Sequence, residues 1–402
     1  MQSDLPPPTL VQDARGLSGL LADLATQTEI AVDTEADSFF NYKEKVCLIQ
    51  VTVEDRDYLV DPLAGFDIAP LGEILADPAK EKIFHDGEYD VLIMKRSFGF
   101  RFVNLFDTRV AAAALGEAQP GLASVLKSRF GVELDKSMQR SNWSARPLSP
   151  KQVAYARLDT RFLIPLAREQ KKELERAKRR RIVEGECRRL EQLVPADNAF
   201  EPDEFLRIQG ARQLEGTAQR ALRELFVLRD KLARESDLPP FKVIHNEVLV
   251  QLAQRAPASQ RELDEMSGLS PRQARRFGND LLQALARARE LGPITRAPLL
   301  PSKDGTGELD DQEFELHERL KEWRREQAAK EGYDASLVLN RHVLLRLAKK
   351  KPRRMEDLEG IEGLLDWQVS ELGPQLVSLI DRSLKEFQTL TPRSRRRGHF
   401  RS

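Results

Sequence analysis

Short apolar runs separated by polar segments recur through the first quarter of the chain. Residues 29–63 contain three of them, EIAVDTE, VCLIQVTV and YLVDPL, and two more occur in EKIFHDG (81–87) and VNLFDT (103–108). Apolar runs of this length bounded by polar residues are typical of strands. The links between the first three are too short for a crossover helix, so we expect these strands to form an antiparallel meander.

Helical segments separate the other predicted strands. They are predicted at Ala14–Ala25, Ile68–Ala76 and Glu88–Phe98. Strands interleaved with helices indicate an α/β domain. Because a meander comes first and strand–helix units follow it, we expect the sheet to be mixed.

From Ser149 onward the pattern is helical and stays so. Ser149 is a suitable N-cap, with Pro150 in the first turn. Pro165 lies inside the predicted helix, where a proline bends the chain because it lacks an N–H. Pro195 marks a domain boundary, and the segment 291–311, rich in Pro and Gly, marks another.

The helical part contains an internal repeat with a spacing of 95 residues. The repeated residues are Val248 with Val343, Leu249 with Leu344, Leu252 with Leu347, Ala253 with Ala348, Pro257 with Pro352, Leu263 with Leu358, Gly268 with Gly363 and Gly278 with Gly373. A match without gaps over this length predicts two related, small, all-helical domains. The predicted segments are 1–195 for the α/β domain with its trailing helix, 200–290 for the first helical domain, 291–311 for a linker, 312–388 for the second helical domain and 389–402 for a basic, disordered tail.

The net charge of zero conceals an asymmetry along the 402 residues. Residues 1–165 carry 18 Lys and Arg against 24 Asp and Glu, and the remainder carries 46 against 40. An acidic domain can hold cations, and a basic part can attract a polyanion. Three basic runs, at 178–181, 349–354 and 393–397, could contact phosphates, although solvated helix faces would explain any one of them equally well.

The cysteines and the lack of long apolar stretches limit the cellular compartments in which we expect the protein. The only two cysteines, Cys47 and Cys187, have neither metal-ligand spacing nor a disulfide framework. The start, MQSDLPPPTL, lacks the basic residues and apolar stretch of a secretion signal. No apolar run approaches the roughly 20 residues that span a membrane. We therefore expect a cytoplasmic protein with no membrane contact.

The candidate functional residues are carboxylates at the end of one predicted strand and on two predicted helices. Asp33 and Glu35 end the first apolar run and, two apart on a strand, should face the same side. Asp90 lies early in a helix beside an apolar run, and Tyr155 and Asp159, four apart on a helix, share one face. Each pair alone has an ordinary explanation, since a surface turn or cap accounts for D-x-E and a solvated helix face for the Tyr–Asp pair.

Together these residues suggest a metal-dependent hydrolase. Magnesium and manganese ions prefer oxygen ligands, usually a few carboxylates with water and substrate phosphate. Two such ions about 4 Å apart support in-line attack of water on a phosphodiester. A neighbouring phenol such as Tyr155 could orient that water or help to take its proton.

At these positions the chain resembles the bacterial ribonuclease D family. That family belongs to the DEDD superfamily of 3′–5′ exonucleases with an RNase H-like fold. Its D-x-E motif matches Asp33 and Glu35, its second motif matches Asp90 in HDGEYD, and its Y-x-x-x-D motif, which marks the tyrosine subgroup, matches Tyr155 to Asp159. The segments NLFDTRVAAAALG and GLASVLKSRFGVELDKSMQRSNWSARPLS also follow the family pattern, so the resemblance covers about residues 10–170.

The helical repeats resemble HRDC domains, which are small nucleic-acid-binding modules. Two in tandem after the nuclease is the ribonuclease D arrangement. The first repeat, around DLPPFKVIHNEVLVQLAQRAP, is the better match. The second, around GYDASLVLNRHVLLRLAKKKP, lacks the usual Pro, which leaves its part in binding RNA open.

The resemblance implies an α/β RNase H-like exonuclease domain with a mixed sheet, followed by two all-α HRDC-like domains. It assigns Asp33, Glu35, Asp90 and Asp159 as ligands of two divalent metal ions, Mg²⁺ or Mn²⁺, with Tyr155 as a further catalytic residue. The implied activity is removal of nucleotides from RNA 3′ ends, with release of 5′-monophosphates. The implied substrates are RNAs with an unpaired 3′ end, such as tRNA precursors, and the implied state is a monomer.

Substrate contacts can be predicted only in outline. Lys136, Arg140, Trp143 and Arg146 precede the Tyr155 helix, and basic residues with one aromatic suit contact with an RNA 3′ end. An ordinary packed loop explains them equally well. His85, just before the Asp90 helix, is a further candidate for substrate contact, although a capping role is as plausible.

Two other functions use the same residues. A DNA 3′–5′ exonuclease would need the same carboxylates, but the chain has neither a polymerase nor a helicase segment, and no G-x-x-x-x-G-K-[ST] loop. A non-catalytic RNA-binding scaffold is the other alternative. The four carboxylates together with Tyr155 argue against it. Asp107, at the end of an apolar run, tempts assignment as a fifth ligand, but a cap hydrogen bond is the better explanation.

Overall fold

A computed structural model describes residues 5–196, 199–296 and 309–389. The predicted basic tail therefore lies outside the described residues apart from Thr389, as does most of the predicted linker. The chain divides into two compact units. The first unit contains residues 1–35, 46–195 and 302–402, and the second contains residues 36–45 and 196–301. The two helical repeats thus fall in different units.

The described residues form one six-stranded mixed sheet in the order β1-β4-β3-β2-β5-β6. The strands are β1 (Thr9–Val11), β2 (Glu29–Ala36), β3 (Val46–Val53), β4 (Arg56–Val60), β5 (Glu81–Phe84) and β6 (Leu105–Asp107). Strand β3 is antiparallel to β4, whereas β1–β4, β2–β5 and β5–β6 are parallel pairs. The mixed sheet is confirmed, and β1, whose three residues are too few to show a pattern, is an addition.

In the described residues up to 196, eight α-helices accompany the sheet. They are α1 (Ala14–Ala25), α2 (Ala69–Ala76), α3 (Glu88–Phe98), α4 (Thr108–Ala114), α5 (Leu122–Phe130), α6 (Pro150–Arg161), α7 (Leu163–Arg176) and α8 (Arg180–Gln192). Ser149 caps α6 in a capping box with Gln152, as its sequence suggests. A bend was predicted at Pro165, and the structure has a break between α6 and α7 at Phe162. The helix breaks because Pro165 offers no N–H and its ring crowds the carbonyl of Arg161.

The centre of the sheet is buried on both faces. Every residue of β3 is buried, and in β2 the apolar residues Ile30, Ala31 and Val32 are buried too. Helix α6 packs on β3 and β4. The continuous apolar runs of the sequence are explained by this cover on both sides, since an alternating pattern would mark a sheet with one solvated face.

The two helical domains repeat each other's elements at a constant spacing of 95 residues. The first, in the second unit, has α9 (Gly216–Glu235), α10 (Pro240–Val243), α11 (Asn246–Arg255), α12 (Gln260–Asp264) and α13 (Pro271–Leu291). The second, in the first unit, has α14 (Asp311–Glu331), α15 (Ala335–Val338), α16 (Arg341–Lys350) and α17 (Asp366–Thr389). A tertiary hydrogen bond is repeated as well: Gln273 Nε2 donates to the Val243 carbonyl over 2.8 Å, and Gln368 Nε2 to the Val338 carbonyl over 3.0 Å.

The glycines of the repeat have a structural reason. Gly268 and Gly363 have φ values of 86° and 82°, in the left-handed region that favours glycine. Within the part of the chain that the structure describes, no helix combines the length and apolar character needed to cross a membrane.

Candidate active site

The carboxylates singled out from the sequence line one cavity of the first unit. The cavity has a volume of about 390 Å³, and its walls include Asp33, Glu35, Asp90, Tyr155 and Asp159. Strand β2 carries the first two, because its buried apolar residues fix the strand in the sheet and its polar end emerges at the cavity. Residues two apart on a strand point the same way, so both carboxylates can serve one site.

Asp90 reaches the cavity from the first turn of α3. The Thr34 hydroxyl, between the two acidic residues of β2, donates to Asp90 Oδ1 over 2.5 Å. This hydrogen bond joins two elements that are 56 residues apart in the sequence. It therefore fixes the Asp90 carboxylate relative to the end of β2 that carries Asp33 and Glu35.

Asp107 holds the turn that precedes α3. Its carboxylate caps α4 by accepting from the backbone N–H groups of Arg109 and Val110, and it also accepts from those of Asp86 (3.1 Å) and Gly87 (2.8 Å). A Cβ at Gly87 would lie 2.6 Å from Phe84 Cβ, so only glycine allows this close approach. Asp107 is thus a positioning residue with a cap role, and its carboxylate accepts from backbone N–H groups of four residues in the described part of the chain.

Helix α6 brings Tyr155 and Asp159 to the opposite wall. The helix is tied to the sheet by a 2.8 Å hydrogen bond between the hydroxyls of Thr160 and Thr52. The Tyr155 ring packs against the buried Trp143, with ring centroids 5.9 Å apart. The phenol is therefore held by the core on one side and exposed to the cavity on the other.

The electrostatics of the cavity are unusual because its acids repel one another. Burial raises the pKa of Asp33 well above its ordinary value, and the charges of Asp90, Asp159 and Glu35 raise it further. Burial, then the charges of Asp159 and Asp90, raises the pKa of Glu35 to about 9. Burial and the Asp90 charge raise the pKa of Asp159 to about 8. Clustered acids with raised pKa values are characteristic of functional sites.

Asp90 is perturbed less than its neighbours. Burial raises its pKa to about 6, and the hydrogen bond from the Thr34 hydroxyl opposes that rise by favouring the charged form. Thr34 thereby has an electrostatic effect as well as a geometric one.

The chemical type of the donors suits a hard divalent cation. Asp159 Oδ2 is buried and, among the described residues, has no hydrogen-bond partner, which is costly for a carboxylate oxygen. A cation coordinated by several carboxylates would satisfy this oxygen and remove the mutual repulsion. Among the described residues, however, no group of three His, Cys, Asp or Glu side chains lies close enough together to hold a metal ion.

Tyr155 is held in its protonated form. Burial raises the pKa of the phenol above its ordinary value, and the charges of Asp159, Glu35 and Asp33 raise it further. A phenol with a raised pKa is a poor base at neutral pH. Of the two roles expected for Tyr155, orienting a water by a hydrogen bond therefore agrees better with its surroundings.

His85 lies in the wall of the same cavity as a neutral imidazole. Burial lowers its pKa to about 4, although the charge of Asp86 opposes this. Its Nδ1 lies 2.8 Å from the hydroxyl of Thr108, and its buried Nε2 makes no hydrogen bond of good geometry with the described residues, although the Pro120 backbone is near enough to oppose the fall in its pKa. His85 can therefore make one more polar contact, but it cannot supply a positive charge for a phosphate at neutral pH.

The four residues predicted from the preceding loop divide into two pairs. Lys136 is exposed and lines the cavity, and Arg140 is exposed but is not among the lining residues. Trp143, in contrast, is 1% exposed in a core cluster with Cys47, Leu48 and Leu59, so its ring cannot stack on a base.

Arg146 also differs from its predicted role. Its guanidinium makes a bidentate pair with Asp61, with distances of 2.6 and 2.7 Å, and donates to the carbonyls of Cys47, Trp143 and Ala145. These bonds occupy its donors in structural contacts. Trp143 and Arg146 support the fold around Tyr155, and the prediction that they contact RNA is corrected accordingly.

Sequence patterns did not single out several residues of the site. Besides Thr34, the cavity wall includes Arg109, Tyr89 and Gln139. Arg109 lies 3.5 Å from Asp86, so its charge is partly compensated. The only available signal for Thr34 was its place between two acids, which carries no information without knowledge of where Asp90 lies.

Comparison with family models identifies the class of protein that this fold and site define. A 3′–5′ exonuclease model matches residues 8–175, and an HRDC domain model matches residues 218–285 and 313–380. The chain is a 3′–5′ exonuclease followed by two HRDC domains.

Similarity to individual proteins shows to which family the chain belongs. The chain is 30% identical over 320 residues to ribonuclease D of Desulfotalea psychrophila, an alignment that covers 79% of this chain and 84% of the relative. It is also 30% identical over 380 residues to ribonuclease D of Sphingobium indicum, covering 93% and 95% of the two chains. The crystal structure of Escherichia coli RNase D matches with a TM-score of 0.68 at 28% identity, covering 94% of this chain and 99% of its own. The chain belongs to the ribonuclease D family.

Proposed function

We propose that this protein removes nucleotides one at a time from RNA 3′ ends by metal-dependent hydrolysis, releasing 5′-monophosphates. The observation that carries the proposal is the group of four carboxylates, Asp33, Glu35, Asp90 and Asp159, which repel one another in a single cavity beside Tyr155. Stable proteins rarely accumulate buried acids of one sign unless a cation or substrate compensates them.

The four carboxylates would hold two divalent ions, Mg²⁺ or Mn²⁺. Such ions, when bound, lower the pKa of a water that attacks phosphorus and stabilise the departing 3′ oxygen. Asp159 Oδ2 offers an unused buried acceptor for this purpose. The hydrogen bond from Thr34 keeps Asp90 more readily ionised than its neighbours, which favours its use as a ligand.

Tyr155 would orient the attacking water. Its phenol stays protonated, so it can donate one hydrogen bond and accept another without changing charge. Because Trp143 fixes the ring from behind, the hydroxyl group has little freedom to move away. The proton of the water would leave by way of a carboxylate, since the phenol is the weaker base of the two.

Three of the predicted substrate contacts remain part of the proposal. Lys136 would approach a backbone phosphate at the cavity rim, and Arg140, in the same exposed segment, would contribute to the same electrostatic attraction. His85 would make a neutral polar contact with the terminal nucleotide. These roles agree with the exposure or cavity position of each side chain.

The proposed substrates are RNAs with an unpaired 3′ end, tRNA precursors among them. Support comes from the ribonuclease D relatives, and the E. coli relative is an exoribonuclease involved in structured RNA processing. We further propose that the protein acts as a monomer in the cytoplasm. An alternative, a DNA 3′–5′ exonuclease, uses the same carboxylates and is separated by experiment.

The decisive test compares three incubations of the purified protein, two with Mg²⁺ or Mn²⁺ and one with a chelator. The substrates are a 3′-tailed tRNA and a single-stranded DNA of the same tail sequence, and the third incubation contains tRNA with chelator. We expect stepwise shortening of the RNA, release of mononucleotides and no reaction with chelator. Shortening of DNA alone would establish the DNA alternative, and shortening of neither would leave a non-catalytic RNA-binding scaffold.

A further inference from the structure

The wall of the carboxylate cavity contains an exposed aromatic ring. Tyr89 lines the cavity, and its side chain is 45% exposed. A large side chain exposed on an open surface needs no explanation, but one in the wall of a cavity lies where a ligand would cover it. The Tyr155 ring, also in this wall, packs against Trp143, which is buried. Of the two tyrosines that line the cavity, Tyr89 is therefore the one whose ring offers open surface to a ligand.

Tyr89 directly precedes the carboxylate of Asp90 on helix α3. Consecutive side chains on a helix diverge by about 100°, and their burial differs accordingly, since Asp90 is 6% exposed and Tyr89 is 45% exposed. Asp90 thus faces the buried part of the cavity and Tyr89 its open part. Because the two Cα atoms are only about 3.8 Å apart, a nucleotide whose phosphate lies beside Asp90 has its base within reach of the Tyr89 ring.

The residues on both sides of Tyr89 are held in place. Glu88 Oε2 accepts a 2.8 Å hydrogen bond from Arg189 Nη2 on α8, and Asp90 accepts one from the Thr34 hydroxyl. A tyrosine has only two side-chain torsions, so little conformational freedom is lost when its ring is covered. The ring is therefore positioned before a substrate arrives, which lowers the cost of binding.

The rest of the wall suits the other parts of a nucleotide. Leu122 and Leu134 add partly buried apolar surface, and Arg109 and Lys136 add positive charge. The cavity volume of about 390 Å³ lies in the range of sites that hold one small ligand. Apolar surface for a base and cations for a phosphate thus occur in the same cavity as the four acids.

We infer that Tyr89 stacks on the base of the 3′-terminal nucleotide and holds that nucleotide in the cavity. The inference rests on the proposed function and extends it to a residue that neither the motifs nor the proposal includes. Stacking on an aromatic ring binds single-stranded nucleic acid without selecting a sequence, because every base has a π face. The contact would therefore serve the removal of any of the four nucleotides.

The kinetic signature follows from the place of the base. The base is remote from the bond that is cleaved, so the stacking contact is equally strong in the bound substrate and in the transition state. Loss of such a contact raises KM and leaves kcat unchanged. A defect in the metal site would instead lower kcat.

The test follows removal of the first nucleotide from a 5′-labelled 12-nucleotide RNA with Mg²⁺. One substrate ends in adenosine, and the other is identical but ends in an abasic ribose. Tyr89→Ala should raise KM for the adenosine-ended RNA at least about fivefold, whereas kcat, and KM for the abasic-ended RNA, should change less than twofold. Tyr89→Phe keeps the ring and should match the unsubstituted protein. Phe314→Ala, which removes a 49% exposed ring on α14, is the control and should change neither constant.

A second measurement needs no turnover. Adenosine 5′-monophosphate and ribose 5-phosphate are titrated calorimetrically into the protein with Mg²⁺. We expect Tyr89→Ala to weaken binding of the nucleotide at least about fivefold and binding of the sugar phosphate less than twofold.

The outcomes distinguish this inference from the proposed function. If the unsubstituted protein shortens RNA and Tyr89→Ala has the same KM for the adenosine-ended RNA, the inference is overturned while the function stands. Equal weakening for substrates with and without the terminal base would also overturn stacking, as would a loss of affinity in Tyr89→Phe, which would assign the contact to the hydroxyl group. Failure of the unsubstituted protein to shorten RNA would overturn the proposed function, and this inference with it.

Discussion

Two sets of acids in the first unit, one at the cavity and one on and just after β4, have different surroundings. Asp57 and Asp61, on and just after β4, each have an arginine: Arg157 Nη2 lies 2.7 Å from Asp57, and Arg146 Nε lies 2.6 Å from Asp61. The acids at the end of β2 and on α3 and α6 are surrounded mainly by one another. Burial favours the protonated form of both Asp61 and Asp33. In Asp61 the hydrogen bonds from Arg146 outweigh burial, so its pKa is lowered, whereas the pKa of Asp33 is raised.

The difference separates the acids that hold the fold together from those that we propose as metal ligands. The paired acids fasten α6 and the segment 143–146 to β4, and thereby place Tyr155. The cavity acids repel one another, so their presence cannot be explained by a contribution to the stability of the fold. A group of carboxylates that repel one another without a cation inside the protein is thus a better marker of this cavity than the burial or charge of any single acid.

The largest expected effect comes from removing a cavity acid. Asp33→Ala should lower the rate of RNA shortening by about 10³-fold or more, because a lost metal ligand removes several kcal/mol of transition-state stabilisation. RNA affinity should stay within about twofold, since Asp33 would act only at the phosphate that is cleaved and the other phosphates would be held by basic residues such as Lys136. Single-turnover assays with Mg²⁺ measure the rate, and anisotropy measures affinity. An equal loss of binding and activity would mean that Asp33 is structural.

Removing a paired acid should have the opposite signature. Asp57→Ala leaves Arg157 buried without a partner, which should lower the free energy of unfolding by about 3–5 kcal/mol. Denaturant titration measures this change. Asp33→Ala is the matched control, since it removes a repelling charge and should not destabilise the fold. If both variants were equally destabilised, the division into two sets of acids would be wrong.

A smaller effect is expected at the phenol beside the cavity acids. Tyr155→Phe should slow the chemical step by about 10- to 100-fold, the value of one well-placed hydrogen bond. Metal affinity, followed by Mg²⁺ titration of the rate, should be unchanged because the phenol is not a ligand. Unchanged turnover would remove the water-orienting role.

The pH dependence of stability should also mark the cavity. The folded-state pKa values of Glu35, Asp159 and Asp90 are raised to about 9, 8 and 6, so the folded chain binds more protons than the unfolded chain above about pH 4. Stability contributed by their protonated forms is therefore lost as pH rises from about 5 to 9. In chelator, we expect Tm to fall over this range by at least about 2–4 °C.

A variant identifies the source of that pH dependence. Glu35→Gln should flatten the decline in Tm because the amide does not ionise, and added Mg²⁺ should oppose the decline in the unsubstituted protein. A Tm that rises with pH over the same range would contradict the raised pKa values.

The smallest effect is expected at the rim. Lys136→Ala should weaken RNA binding modestly and reduce the slope of log affinity against log salt by about 1, because one phosphate contact is lost. Lys127, which is 68% exposed and paired with Glu133, provides the control substitution. An unchanged salt slope in Lys136→Ala would place the RNA backbone elsewhere.

Local pattern was sufficient for much of the fold. The apolar runs predicted β2 to β6, and the spacing of 95 residues predicted two related helical domains. The structure adds that Gly268 and Gly363, matched in the repeat, both have positive φ. Both signals are local or periodic. Strand β1 was missed because three residues carry too short a pattern, and the break at Phe162 was placed three residues late because the clash of Pro165 acts on the preceding turn.

The loop before α6 shows where local pattern fails. Basic residues with a tryptophan look alike whether the ring is exposed or buried, and only the packing of Trp143 beneath Tyr155 decides the matter. The role of Arg146 depends in the same way on Asp61, which is 85 residues away in the sequence. Neither partner can be recognised from the spacing of residues within the loop.

The sequence by itself determined the chemical types and their motifs: four carboxylates, a phenol and two helical repeats, as residue order and periodicity are properties of the chain. Tertiary structure decided which of the buried acids are neutralised and which repel, because charge pairing and desolvation depend on distances between remote elements. It also decided that Thr34 serves Asp90 and that residues 36–45 pack with the first HRDC domain, since both contacts join segments that no local pattern connects.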